Sequence, residues 1–433
     1  MHIVYNSTNA TSKIFINKNV KTVDIFKSLR YNRSKDRYKR LLRFYILEAA
    51  MKLYHISVSG LPLFKQELEL NFFAQQRVSE NDKTSLLPLC PVSKYYLNPA
   101  EAVIGINSSG KTSVLKVILL AIDILNNEPI SHCETRDILG NAEKVDFTIC
   151  FLSDAKELCK LETVIRVQKK TSNLIYKIES ETLWTKSLSS AVTKSKLIDF
   201  AGVEPYAVRN NEEAFLPDDV SIIIAYNKKN KQHIQAASLL SFTNVNILPV
   251  SQSIPSEVIQ FLDPTIEYLY FDKQDQKVSI HLKFINENEI ILSDPSELNR
   301  YLSSGTVKGI VTFTLAIQTL QSGGYLIIDE IENHFNREIA ATLMRFFMDA
   351  EFNINGGVLF FSTHYPELLD EFDRNDSIFI TRNRNGIEVS NLNDILKRND
   401  LKKSDAYESG ILEGTVPTYT AYMNLKKNIR SLL

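Results

Sequence analysis

"GINSSGKT", residues 105–112, sets two glycines around a run of small polar residues and closes on a lysine and a threonine. The spacing fits G-x-x-x-x-G-K-[ST], and the context fits as well. "EAVIG", residues 101–105, is a short apolar strand leading in. "KTSVLKVILLAIDIL", residues 111–125, leads out as a helix apolar on nearly every face, which predicts central burial. A loop of this kind aims successive backbone N–H groups at one point in front of a helix N-terminus, and glycine lets the chain wrap closely round an anion. Gly105, Asn107, Ser108, Ser109 and Gly110 are therefore expected to line a phosphate nest. Lys111 places a cation on the β/γ oxygens of a nucleotide, and Ser113 completes the contact set. Thr112 offers a hydroxyl to Mg²⁺, a hard ion that takes oxygen ligands. ATP and Mg²⁺ are the expected cofactors.

Further on, "YLIIDEIEN", residues 325–333, is a strand with four consecutive apolar residues that ends in paired acids. Such a run predicts burial on both faces, with the acids emerging at the C-terminal end, where open α/β sheets bind ligands. Asp329 is expected to hold Mg²⁺ through water, and Glu330 to polarise an attacking water. A helix start would also favour acids, through its dipole, so the pair alone does not decide. "VLFFSTH", residues 358–364, ends a second buried strand in His364, which is placed to reach a γ-phosphate from the same sheet edge.

The rhythm around these motifs gives the fold class. From residue 306 the chain alternates helix "TVKGIVTFTLAIQTL", strand "YLIID", helix "REIAATLMRFFMDA" and strand "GVLFFSTH", the βαβ pattern of a parallel sheet. Before it, "KLYHISVSG" and "ELELNFF" alternate as an antiparallel pair, and "VDFTICFL", "ETVIRVQ" and "SNLIYKIESETLW" continue as a meander. The expected fold is α/β: a mixed, mainly parallel sheet with an antiparallel β subdomain and an inserted helical lobe. The expected divisions are 1–50, 51–185, 186–305 and 306–433. Residues 1–50 are rich in Lys and Arg, which suits a nucleic-acid arm. The reading preferred here is upstream translation, because "MKLYHISVSGL" at Met51 reads as a start that runs straight into a strand. "LEAA" just before it also accommodates codons for a ribosome-binding sequence.

Bulk properties agree with a globular protein. The chain has 433 residues, 44% hydrophobic and 23% charged, with a net charge of −1. Four cysteines without C-x-x-C spacing argue against a disulfide scaffold or zinc site. No signal pattern and no span-length apolar run is read, so a cytoplasmic location with no membrane contact is expected.

"YLSSGTVKGI", residues 301–310, opens a helix on two serines and a glycine, as an N-cap would. Taken with the phosphate loop, the acidic strand and the histidine, in that order, "LSSGT" gains a second meaning. The sequence resembles the ABC-type ATPases, whose signature is Leu-Ser-Gly-Gly-Gln-like. It looks most like the soluble branch of SMC, RecF and OLD-type ATPases. Within that branch it is most similar to the AAA15 group of abortive-infection proteins, AbiL-like and RloA-like. The tail "YESGILEGTVPTY", residues 407–419, is similar to a tail motif of that group. The resemblance covers roughly residues 51–417. It implies a homodimer that sandwiches two nucleotides, with Ser303, Ser304 and Gly305 contacting the γ-phosphate held by the other protomer's loop. "NHFN", residues 333–336, matches the D-loop without its aspartate, and no Q-loop glutamine is identified.

The resemblance implies a phage-defence ATPase that controls a separately encoded effector, with a nuclease as one candidate. The alternatives are a RecF-like repair ATPase that binds DNA, a transporter ATPase, and a scaffold that binds nucleotide without turnover. Glu330 argues against the last, and the meander strands against the transporter.

Overall fold

The computed structural model describes residues 51–90, 93–170, 173–209, 216–230, 233–240, 254–274, 277–333, 335–412, 415 and 419–432. The basic segment 1–50, His334 and residues 413, 414 and 416–418 of the tail motif lie outside the described residues.

Six strands form an antiparallel sheet in the order β2 (Leu68–Asn71), β1 (Lys52–Ser59), β6 (Lys144–Leu152), β7 (Glu157–Lys170), β8 (Asn173–Ser187) and β9 (Pro205–Val208). This is the expected meander. The first half of β6 alternates buried with more open residues, as a sheet with one packed face requires. A two-residue pair, β3 (Leu87–Pro88) with β4 (Tyr96–Leu97), lies between β2 and the next sheet in the chain.

The second six-stranded sheet has the order β10 (Ala236–Leu239), β14 (Tyr325–Ile328), β15 (Val358–Thr363), β5 (Ala100–Ile104), β16 (Ile378–Asn383) and β17 (Ile387–Asn391). All neighbours are parallel except β16 and β17. β5, β14 and β15 are buried at every residue, which is why they read as unbroken apolar runs. Phe361 pairs with Ile328 and Thr363 with Ile104, so three neighbouring strands end at nearly the same level. Gly105, Asp329 and His364 follow those ends and therefore share one edge.

Successive residues of these strands face two different cores. Val103, Ile327 and Phe360 pack with the phosphate-loop helix α1 (Lys111–Leu125) and the antiparallel sheet. Ala102, Ile104, Ile328 and Phe361 pack with helices α2 (Ser304–Ser322) and α3 (Arg337–Met348). The arrangement is a mixed α/β P-loop fold with an antiparallel subdomain.

One boundary and the make-up of one lobe differ from the sequence reading. The division expected at 185/186 falls inside β8, and the first lobe runs on through β9 and the helix Ile223–Asn230, whose Ile223 and Tyr226 enter its core. The tie is the buried Glu181, whose carboxylate accepts bonds from the Thr163 and Ser221 hydroxyls and from the Ile222 N–H, each at 2.7 Å. The lobe expected to be helical is instead mixed. Its described residues form a helix, Ser256–Leu262, and a three-stranded sheet of β11 (Ile266–Gln274), β12 (Lys277–Phe284) and β13 (Ile290–Leu292). Leu269, Ile280 and Leu282 point into the core shared with Val307 and Ile310 of α2, while Tyr270 and His281 pair on the outer face. That period of two produces strands. Among the described residues, no helix is long and apolar enough to cross a membrane.

Candidate nucleotide site

The loop after β5 is fixed from both sides. Gly110 has φ of 105°, a left-handed conformation that glycine adopts without strain, and a Cβ there would lie 2.6 Å from the Ile387 side chain. A Cβ on Gly105 would collide with the Ser109 and Thr381 hydroxyls. Those two hydroxyls bond each other at 2.7 Å, and Thr381 also donates to the Ile104 carbonyl at 3.2 Å. Asn383, at the end of β16, donates its side-chain amide to the Ser108 carbonyl at 3.1 Å. Strand β16 therefore clamps the loop that β5 leads into.

Lys111 turns its amine onto the loop's own carbonyls, Gly105 at 3.0 Å and Ile106 at 3.3 Å, with His364 Nδ1 at 3.4 Å. Burial lowers its pKa, while the charges of Glu330, Asp329 and Glu332 oppose that shift. A cation held by neutral carbonyls is ready to exchange them for the stronger acceptors on a phosphate.

At the end of β14, Thr112 donates its hydroxyl to Asp329 Oδ2 at 2.7 Å. Ser362 of β15 donates to the other Asp329 oxygen and accepts the Glu330 N–H at 2.7 Å. Glu330 itself has φ of 51°, which non-glycine residues adopt at a cost. The Ser362 bond and the Ile331 N–H bond to the Ser362 carbonyl, at 3.0 Å, hold this turn. The turn carries the Glu330 carboxylate to within 3.4 Å of His364 Nε2. Glu332 accepts the His364 backbone N–H at 2.5 Å.

Of these residues, Ser108–Thr112, Glu330, His364, Asn383 and Ile387 border one cavity of about 620 Å³, while Asp329, Glu332 and Ser362 stand behind its wall. The loop from Asn107 to Ser113 forms its floor, with Glu330 and His364 on one side. Pro62, Leu63 and Ile387 give it an apolar wall, and Asn385 adds an amide. Ser303, Ser304 and Gly305 do not line it. The two serines are exposed at the start of α2, where Ser303 Oγ accepts the Thr306 N–H at 3.0 Å, as an N-cap does. Asn336, the last residue of "NHFN", caps α3 by accepting the Ile339 N–H at 2.9 Å.

The donor set suits Mg²⁺. Thr112 and Asp329 supply two oxygens in contact with each other beside the phosphate nest. Among the described residues, no cluster of three or more His, Cys, Asp or Glu side chains could hold a metal alone. A Mg²⁺ at this position would complete its shell from phosphate and water, which is this ion's habit.

Five contributors were not read from the sequence. Ser362 and Glu332 lie inside the quoted motifs and could have been weighed there. Thr381 and Asn383 carry no motif and reach the loop only through the pairing of β16 with β5. Lys308, buried on α2, interacts electrostatically with Glu330, Asp329 and Glu332.

Residues 102–370 match the family described as "AAA domain, putative AbiEii toxin, Type IV TA system". No curated protein matches the chain. Among solved structures the chain is similar to "Structure of the recombination mediator protein RecF-ATP in RecFOR pathway", at 10% identity and a TM-score of 0.36, covering 79% of this chain and 98% of that one.

Proposed function

The chain belongs to this AAA-domain family, whose match spans more than half of its length, and on that premise we propose a Mg²⁺-dependent ATPase that dimerises around ATP. The carrying observation is the Thr112–Asp329 contact at the loop, with Glu330 beside His364 on the wall of the adjoining cavity.

In this reading the loop N–H groups and Lys111 bind the phosphates, and the apolar wall of Pro62, Leu63 and Ile387 receives the base. Thr112 and Asp329 would hold Mg²⁺, which when bound neutralises phosphate charge. Glu330 accepts a proton from water aligned on the γ-phosphorus. His364 contacts the γ-phosphate and orients Glu330. Catalysis is then positioning and charge stabilisation, the pattern of phosphoryl transfer.

Glu330→Gln should still bind ATP and hydrolyse it about 10²–10⁴-fold more slowly, the usual contribution of a positioned base. Wild-type turnover in that variant would overturn the assignment.

The biological role we read is anti-phage defence in the cytoplasm, with the ATPase as sensor and regulator of a separately encoded effector. Two things support it: the family description names a toxin of a toxin–antitoxin system, and the tail and signature resemble the AAA15 group. In cells challenged with phage, Lys111→Ala should abolish the protection that the wild-type gene and its neighbours confer. Equal protection would sink the role of ATP in it.

A further inference from the structure

Two groups of residues border the phosphate loop at different points along it. His364 meets Lys111 at 3.4 Å, with Glu330 beside it. The turn between β16 and β17 meets Ser108 through the Asn383 amide and Gly110 through the Ile387 side chain. That turn is tied to the strip that follows β1. The Ile387 N–H donates to the Leu63 carbonyl at 2.8 Å, the Lys65 N–H donates to the Ile387 carbonyl at 3.1 Å, and Lys65 pairs with Glu388 at 2.5 Å. Pro62, Leu63 and Ile387 thus form one braced apolar surface on the cavity, and two further amides, those of Asn383 and Asn385, line it as well. Asn383 is fully engaged: its nitrogen holds the Ser108 carbonyl, and its oxygen accepts the Gly386 N–H at 3.2 Å. Asn385 is exposed at a left-handed φ of 60°, which asparagine adopts more readily than most residues, and its side-chain amide bonds no other described residue.

An amide sets a donor and an acceptor side by side. Adenine shows the complementary pair, its N6 amino group beside the acceptor N7, whereas guanine shows two acceptors, O6 and N7. We propose that Asn385 selects adenine over guanine: its oxygen accepts from N6 and its nitrogen donates to N7, while Pro62, Leu63 and Ile387 hold the ring. The proposal rests on reading the cavity as the ATP site. With the terminal phosphate beside Lys111 and His364, the base falls toward the turn, and Asn385 is the amide there that is still able to pair with it. Guanine in the same pose sets O6 against the Asn385 oxygen, two acceptors with no hydrogen between them. Among the described residues no Phe, Tyr or Trp lines the cavity, so the choice of base falls to its edge and not to stacking.

The test is calorimetric titration, with Mg²⁺ present, of the β,γ-imido analogues of ATP and GTP, which do not turn over, and of tripolyphosphate. The wild-type chain should bind the ATP analogue about tenfold more tightly than the GTP analogue. That is toward the lower end of what one bidentate amide–base pair supplies, because the turn is open to water. Asn385→Gly removes the amide and keeps a residue at ease in the left-handed conformation. It should bind both analogues with the wild-type affinity for the GTP analogue, and bind tripolyphosphate as the wild type does.

Equal wild-type affinity for the two analogues, or a preference that survives Asn385→Gly, would overturn the proposal. So would a loss shared equally by both analogues and tripolyphosphate, which would make Asn385 a turn residue only. A wild-type chain that binds none of the three is a different result: it would remove the ATPase reading and this proposal together.

Discussion

Lys111 and Ser362 show two ways in which a residue serves the site. Lys111 sits in a motif, and its amine already bonds the Gly105 and Ile106 carbonyls of the loop proposed to bind phosphate. Removing it in Lys111→Ala deletes a charge-assisted contact worth about 1.5–3 kcal/mol, so ATP should bind roughly ten- to a hundredfold more weakly in a calorimetric titration. An unaltered Kd would move the phosphate site elsewhere. Ser362 acts through others: it fixes both the Asp329 carboxylate and the strained Glu330 backbone. Ser362→Ala should therefore lower kcat more than ATP affinity, with the fold retained. A larger effect on binding would mean that Asp329, not Glu330, is what it chiefly supports. Glu330 and His364 were legible because each follows an unbroken apolar strand, and the C-terminal ends of such strands are where an open α/β sheet meets its ligand. Thr381 was not, because its bond to Ser109 spans 272 residues and depends on which strands pair.

Elements were most legible where burial is complete. The phosphate-loop helix was bounded correctly at Lys111 and Leu125, since its apolar run begins at the loop and stops at Asn126 and Asn127. The insert was harder, because short strands facing water on one side mix tyrosine, histidine and charge with apolar residues. Lys52, the first residue of β1, was read only as a strand residue. In the fold its buried amine donates to the carbonyls of Gly323, at 2.9 Å, and Gly356, at 2.5 Å, tying the antiparallel sheet to the C-terminal end of α2. Carbonyls there favour a cation. Burial nevertheless brings the lysine's pKa from 10.5 down to about 8, with Asp154 opposing. A folded pKa below the unfolded one means that the unfolded chain binds more protons between those values. Stability from this group therefore rises as pH climbs through the window, and the burial penalty is fully present below it. Lys52→Met should lack that rise. Denaturant unfolding near neutral pH and at about pH 10 tests it, because the difference between variant and wild type isolates one group. Parallel profiles would mean that Lys52 keeps its proton in the fold as readily as out of it.

At the scale of the whole molecule, the sheet edge gathers everything a single chain can bring to a triphosphate except the signature. Loop, Asp329, Glu330 and His364 converge because β5, β14 and β15 are neighbours whose ends align. Ser303 and Ser304 stand exposed at the head of α2 and do not line the cavity. A helix N-terminus with exposed N–H groups can take a phosphate, and a second copy would bring one. Two copies related by a two-fold axis would each complete the other's site, the reciprocal contact that such symmetry imposes. The expected outcome is specific. In the Glu330→Gln background, Mg-ATP should convert monomers to dimers in sedimentation. Ser303→Arg should leave ATP affinity of the monomer intact and abolish that conversion, because the larger side chain occupies the space of the partner's phosphate. A helix cap alone predicts something else. Losing the Ser303 bond to Thr306 would cost about 0.5–2 kcal/mol of stability with or without nucleotide, and association would not change. Ser303→Ala separates the two contributions, since it removes the cap without adding bulk. Dimers that persist with arginine at position 303 would confine this serine to its capping role, and the two nucleotide sites would then have to be completed by other residues.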